Sequence, residues 1–232
     1  MATTVMQIVS GGFGLSEYSR PELIAGRETA LVRCVARTMQ TLFTFAARVN
    51  TTFFSTQTDV SFNSGGWARP ADAESVFRLE GLGASTTPNT SGEILVVPYD
   101  DRAAFAGQPS VYRIGQRFYG AGNSGDPTGG SLRIFYARRP SALAAFTDVL
   151  DPMWPEQFNG ILEYEVAAFT ARSDGGRDGE VAEMAAERNR QILLFEAFLE
   201  HETAHETRRF GEIRWTATER REPLKALTQA AA

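Results

Sequence analysis

The chain has 232 residues, of which 43% are hydrophobic, enough for one domain or two small ones whose core needs no disulfide or metal. A formal charge of −5 argues against a dedicated nucleic-acid binder, which would carry a basic footprint. The one cysteine, Cys34, excludes an internal disulfide, and its neighbours Val32, Val35 and Ala36 mark it as a small buried hydrophobe rather than a nucleophile.

In chain order, Met1–Leu15 is mildly apolar but lacks a basic region and is interrupted by Gly11, Gly12 and Gly14, so no targeting segment is expected. A helix is expected from Pro21 to Val49, with Leu31, Val35, Leu42, Ala46 and Val49 on one face and Val32, Met39 and Phe43 beside them. So wide a stripe predicts packing on more than one side.

From Thr51 the period changes. Strands are expected at Ser75–Leu79, Glu93–Pro98, Val111–Tyr119 and Ser131–Tyr136, separated by Gly, Pro, Asn and Ser clusters. The last two read as a hairpin with a long turn, with Tyr112, Ile114, Gln116 and Phe118 facing the core. After Pro140, a short helix is expected over Ser141–Leu150 and a longer one over Glu156–Ala171. A third runs from about Glu180 to Phe210, its core stripe formed by Val181, Met184, Ala185, Ile192, Phe195 and Leu199, with Glu and Arg elsewhere. The fold class is α+β: a helical bundle with an inserted antiparallel β subdomain and an extended C-terminal arm. The divisions are an N-terminal segment over 1–20, a bundle from 21–50 and 140–210, a β-rich insertion over 51–139 and an arm over 211–232. No apolar run reaches the ~20 residues that span a bilayer, so no membrane partner is expected.

Two motifs suggest chemistry. His201-Glu202-Thr203-Ala204-His205 matches the zincin pattern, in which two histidines one turn apart bind Zn²⁺ and the glutamate polarises a metal-bound water. Glu200, Glu206, Arg208 and Arg209 crowd it with charge, and little chain remains to wall a cleft, so the expectation is a solvated helix face. A zinc-dependent hydrolase is the alternative. Gly120-Ala121-Gly122-Asn123-Ser124-Gly125 matches a dinucleotide fingerprint, but a strand follows it where that chemistry requires a helix N-terminus. Asp100 and Asp101 fit a solvated turn after a strand. No catalytic residue, metal ligand or cofactor is assigned.

Four stretches carry a resemblance: Ser91-Gly92-Glu93-Ile94-Leu95-Val96-Val97-Pro98; Val111-Tyr112-Arg113-Ile114-Gly115-Gln116; Gly130-Ser131-Leu132-Arg133-Ile134-Phe135-Tyr136 followed by Arg138, Arg139 and Pro140; and Trp154-Pro155-Glu156-Gln157-Phe158 opening a helix through Ala167 and Ala168. In this order and spacing, over about residues 57–210, the chain resembles the head–tail adaptor (connector or head-completion) proteins of tailed bacteriophages. The resemblance implies a homo-oligomeric ring, commonly of twelve copies, under the portal protein at the virion neck. It implies a tail or neck protein on the other side, DNA passing through the lumen without specific binding, and an arm that engages the portal. In that arm Trp215, Leu224 and Leu227 are the candidate anchors, since aromatic and apolar residues dominate such contacts. The N-terminal segment and β insertion are larger than in compact members. Another tail-completion or neck interaction protein is the remaining alternative.

Overall fold

The computed structural model describes residues 2–15, 24–63, 66–82, 88–105, 110–120, 131–173 and 178–206, the stretches 88–92 and 203–206 by backbone alone. The chain divides into two units, Met1–Phe53 with Arg139–Ala232, and Phe54–Arg138. The class is α+β. The two ends of the second unit lie side by side, with Arg138 N–H donating to the Phe54 carbonyl at 3.0 Å.

The first unit is helical. Its first helix, α1 (Val5–Leu15), runs through the glycines expected to interrupt it. A reciprocal cap starts it: Thr4 N–H donates to Gln7 Oε1 at 2.7 Å, and Gln7 N–H donates to Thr4 Oγ1 at 3.3 Å. Two further first-turn donors, on Val5 and Met6, are taken by the carbonyls of Asp148 and Phe146. The next helices are α2 (Glu28–Val49), α3 (Asn159–Ser173), entered through a 3-10 turn at Glu156–Phe158, and α4 (Asp178–Glu206). Gly11 and Gly12 of α1 serve contact with α3. A Cβ on Gly12 would stand 2.6 Å from the Glu163 carbonyl oxygen and 2.8 Å from Val166 Cβ, closer than atoms tolerate.

Helix α2 buries Leu31, Val32, Val35, Met39, Leu42, Phe43, Phe45, Ala46 and Val49, the wide stripe its sequence predicts. An aromatic cluster gathers at Phe195 of α4. Phe158 lies 4.9 Å, Trp154 5.5 Å and Phe45 6.5 Å from it, ring centre to ring centre. The Trp154 indole N–H donates to Asn159 Oδ1 at 3.0 Å, so the Asp151–Phe158 segment is fixed at both its polar and apolar ends.

The short helix expected over Ser141–Leu150 does not form. The Asp148 carboxylate accepts the N–H groups of Ala144 and Ala145 at 2.6 and 2.9 Å, and the buried Asp151 carboxylate accepts those of Ser141 and Met153 at 2.9 and 3.0 Å. Side chains thus take the amides that a helix would use. These two backbone donors also hold the Asp148 carboxyl below the usual carboxylate range.

The second unit is built of strands β1 (Ser55–Ser61), β2 (Trp67–Ala68), β3 (Ala73–Leu82), β4 (Pro88–Glu93), β5 (Leu95–Val97), β6 (Ser110–Ile114), β7 (Arg117–Gly120) and β8 (Ser131–Arg138). They form two four-stranded sheets, in the orders β1-β8-β3-β4 and β2-β7-β6-β5. The first is antiparallel throughout; the second is mixed, because β5 runs parallel to β6. The chain changes sheets at Ile94, whose N–H donates to the Leu79 carbonyl at 2.9 Å. Trp67, Leu79, Ile94, Val111, Phe118, Leu132, Ile134 and Tyr136 make a core shared by both sheets. Leu132, Ile134 and Tyr136 alternate inward along β8.

The hairpin expected between Val111–Tyr119 and Ser131–Tyr136 is not the one that forms. Val111–Tyr119 itself folds back at Gly115-Gln116, pairing Ile114 with Arg117 and Tyr112 with Tyr119. Gly115 has φ +58°, the left-handed conformation that a tight hairpin turn needs and glycine adopts without strain. The turn reverses the expected phase on β6 alone: Val111 is buried and Ile114 is 51% exposed, whereas Phe118 on β7 is buried as expected. Strand β8 pairs instead with β1 and β3.

Candidate functional site

Among the described residues, the motif residues form no catalytic arrangement. His201 and Glu202 lie exposed on α4, and the side chain of His205 is outside the described residues. Among the described residues no group of three His, Cys, Asp or Glu side chains could hold a metal. Gly120 ends β7, and the rest of the glycine motif lies outside the described residues. Asp100 and Asp101 stand exposed in a turn after β5. Trp215, Leu224 and Leu227 lie outside the described residues, as does the whole arm. Among the described residues no helix is long and apolar enough to cross a membrane.

Cys34 is half-buried on α2, and its thiol is pushed up to about 12, first by burial and then by the Glu165 carboxylate. A thiol so shifted is almost wholly protonated at neutral pH and is a poor nucleophile.

Among the described residues, two surfaces offer contact chemistry. The first is the outer side of α4. Leu193 and Leu194 are 56% and 51% exposed. Ala182, Ala186 and Ala197 fall beside Leu193 at helical spacing and are also exposed, so an apolar stripe faces outward where charge was expected. It is bordered by Glu183, Arg190 and Glu200. Arg190 donates to Glu187 Oε1 at 2.5 Å, an exposed pair one turn apart. A shallow groove of about 410 Å³ adjoins the stripe, lined by Leu15, Tyr164, Met184, Ala186, Glu187 and Arg190 among others. The opposite face of α4 holds Val181, Ala185, Ile192, Phe195 and Leu199 in the core, as their spacing predicts; Met184 is only partly buried. Arg188 is in that core too, fully buried and paired with Glu165 of α3. Its spacing among the apolar positions was the available signal.

The second surface lies on the second sheet of the β unit. Tyr112 and Tyr119 are cross-strand partners with nearly parallel rings, 5.6 Å apart and 18° between planes. Tyr99 packs edge-on against Tyr112 at 5.4 Å, and the Arg102 guanidinium lies 3.8 Å over the Tyr99 ring. Beside this row Leu95, Val96 and Ile114 are 47%, 53% and 51% exposed. Sequence reasoning missed the row because it joins residues of three segments. The available signal was the density of tyrosines from Tyr99 to Tyr119.

No family model matches the chain, and no curated protein matches it.

Proposed function

We propose that this chain is a structural head-to-tail adaptor of a tailed phage, acting by assembly rather than by catalysis. Copies form a ring, of twelve in the commonest arrangement, under the portal protein at the virion neck. The ring receives a tail or neck protein on its other face, and DNA passes through its lumen. The observation that carries the reading is the architecture. A helical unit is interrupted once, between Phe53 and Arg139, by a β unit. The four resemblance-bearing stretches fall at β4–β5, β6, β8 and the entry to α3 within that order.

The outer stripe of α4 is the surface we assign to the neighbouring subunit. A ring contact is heterologous, so one helix face can pack on a different face of the next copy. Exposed leucines flanked by Glu and Arg suit it, because apolar residues supply the energy and charges the register. The test is to co-express the chain with the portal protein of the same phage and separate assemblies by sedimentation, with negative-stain imaging of the fast fraction. The wild-type chain should travel with the portal as rings, and the doubly substituted Leu193→Glu/Leu194→Glu chain should stay folded and slow. A wild-type chain that never joins the portal would contradict the reading.

A further inference from the structure

We infer that the outer edge of β5 is a docking site for an extended, basic segment of another protein, which adds to the second sheet as a further strand. Strand β5 is the last in its sheet. Four of the eight large hydrophobic side chains exposed among the described residues, Leu95, Val96, Tyr99 and Ile114, lie at it or beside it. Soluble proteins blunt such edges with lysine, proline or inward charge. Leu95-Val96-Val97 carries none of these, although the strand is short and Pro98 follows it. An edge left apolar on a sheet is the arrangement that strand addition uses: main-chain hydrogen bonds supply affinity and side-chain contacts supply choice.

Charge selects the occupant. Glu93 precedes the strand and Asp100 and Asp101 follow it, all three exposed. The basic group of that turn is turned away: Arg102 lies on the Tyr99 ring and its Nη1 donates to the Tyr99 carbonyl at 2.6 Å. Arg113 is exposed on β6, one strand further in, and alternation places it on the face opposite Tyr112. The ends of the edge are therefore acidic. An extended chain covers the interval from Glu93 to Asp100 in at most about 23 Å. A fitting partner has an apolar centre and a Lys or Arg at each end of a span no longer than that. Its side chains on the tyrosine face would meet Tyr99, a residue type that anchors interfaces. This inference does not rest on the adaptor reading.

The test titrates the full chain with fluorescent synthetic peptides and follows anisotropy. The probes are acetyl-Arg-Thr-Val-Thr-Val-Thr-Arg-amide, the same peptide with proline at its centre, and the same peptide with glutamate at both ends. The first should bind at least about tenfold more tightly than the other two. Asp100→Asn/Asp101→Asn should weaken it, with the circular dichroism of the chain unchanged. Equal binding of the proline peptide would reduce the effect to bulk charge and overturn the proposal. So would the absence of binding by any probe, or a dimer of the chain in sedimentation that Val96→Lys dissociates.

Discussion

Arg188 sits in the core of the helical unit, paired with Glu165 and donating from Nη2 to Asn189 Oδ1 at 3.1 Å. Removing one partner of such a pair strands the other, whereas replacing both removes the desolvation cost as well. Arg188→Ala should lower unfolding free energy by about 3–5 kcal/mol, and Arg188→Met/Glu165→Leu should stay within about 1 kcal/mol of the parent, read from urea titrations. Glu163 of α3 is partly buried. Burial pushes its carboxyl above the usual range. A raised folded value means that the stabilising contribution is full below the unfolded value and is lost as pH rises through the folded one. Glu163→Gln should therefore raise the melting temperature at pH 7, and the gain should vanish in acid where both states are protonated. Cys34 is tested by a disulfide reagent at pH 8, which should modify it only after denaturant is added. Buried Arg188 corrects the expectation that Glu and Arg lie outside the core stripe of α4. Its place in the series Val181, Ala185, Ile192, Phe195 and Leu199 was the available signal, but its partner on α3 had none, because pairing between helices is not a property of either helix alone.

Helix α1 shows how local signals compete. Three glycines argue against a helix, yet Thr4-x-x-Gln7 is a capping signature, and Gly11 and Gly12 are placed for contact rather than for breaking. Gly12 and Gly14 separate the two effects. Gly12→Val should cost about 2–3 kcal/mol because its side chain would press on the α3 backbone. Gly14 has nothing within 4 Å of an added Cβ, and Gly14→Ala should stabilise by about 0.5–1 kcal/mol through helix propensity. Thermal or urea unfolding of the two variants checks both signs. The sheets were harder to read for a related reason. Strand β1, Ser-Thr-Gln-Thr-Asp-Val-Ser, is a polar sheet edge and shows no apolar alternation. Its register is marked by the cross-strand Asp59–Arg133 pair, where Arg133 Nε donates to Asp59 Oδ1 at 2.8 Å. In the Val111–Tyr119 run, Gly115 and Gln116 continue the alternation on paper, and only the left-handed φ of Gly115 turns the chain. Helices α2 and α4 were legible because long apolar stripes at helical spacing have no strand counterpart.

At the scale of the whole molecule, the two units follow from a change of period in the sequence near Phe54 and again near Arg138. The β unit contains its own core, so a fragment covering residues 54–138 should fold alone and melt cooperatively with a sheet signature in circular dichroism. What the chain does was less legible than how it folds. The outward stripe of α4 was hidden because its alanines read as helix formers rather than as a contact surface, and Leu193 and Leu194 adjoin a core stripe that explains leucine equally well. The adaptor proposal makes a definite statement about place, and three-dimensional reconstruction of the virion neck by electron cryomicroscopy measures place directly. The account predicts a ring of this chain between the portal and the first tail component, with the outer face of α4 buried against the neighbouring copy. A neck in which that position is filled by another protein, or in which this chain is absent, would contradict it.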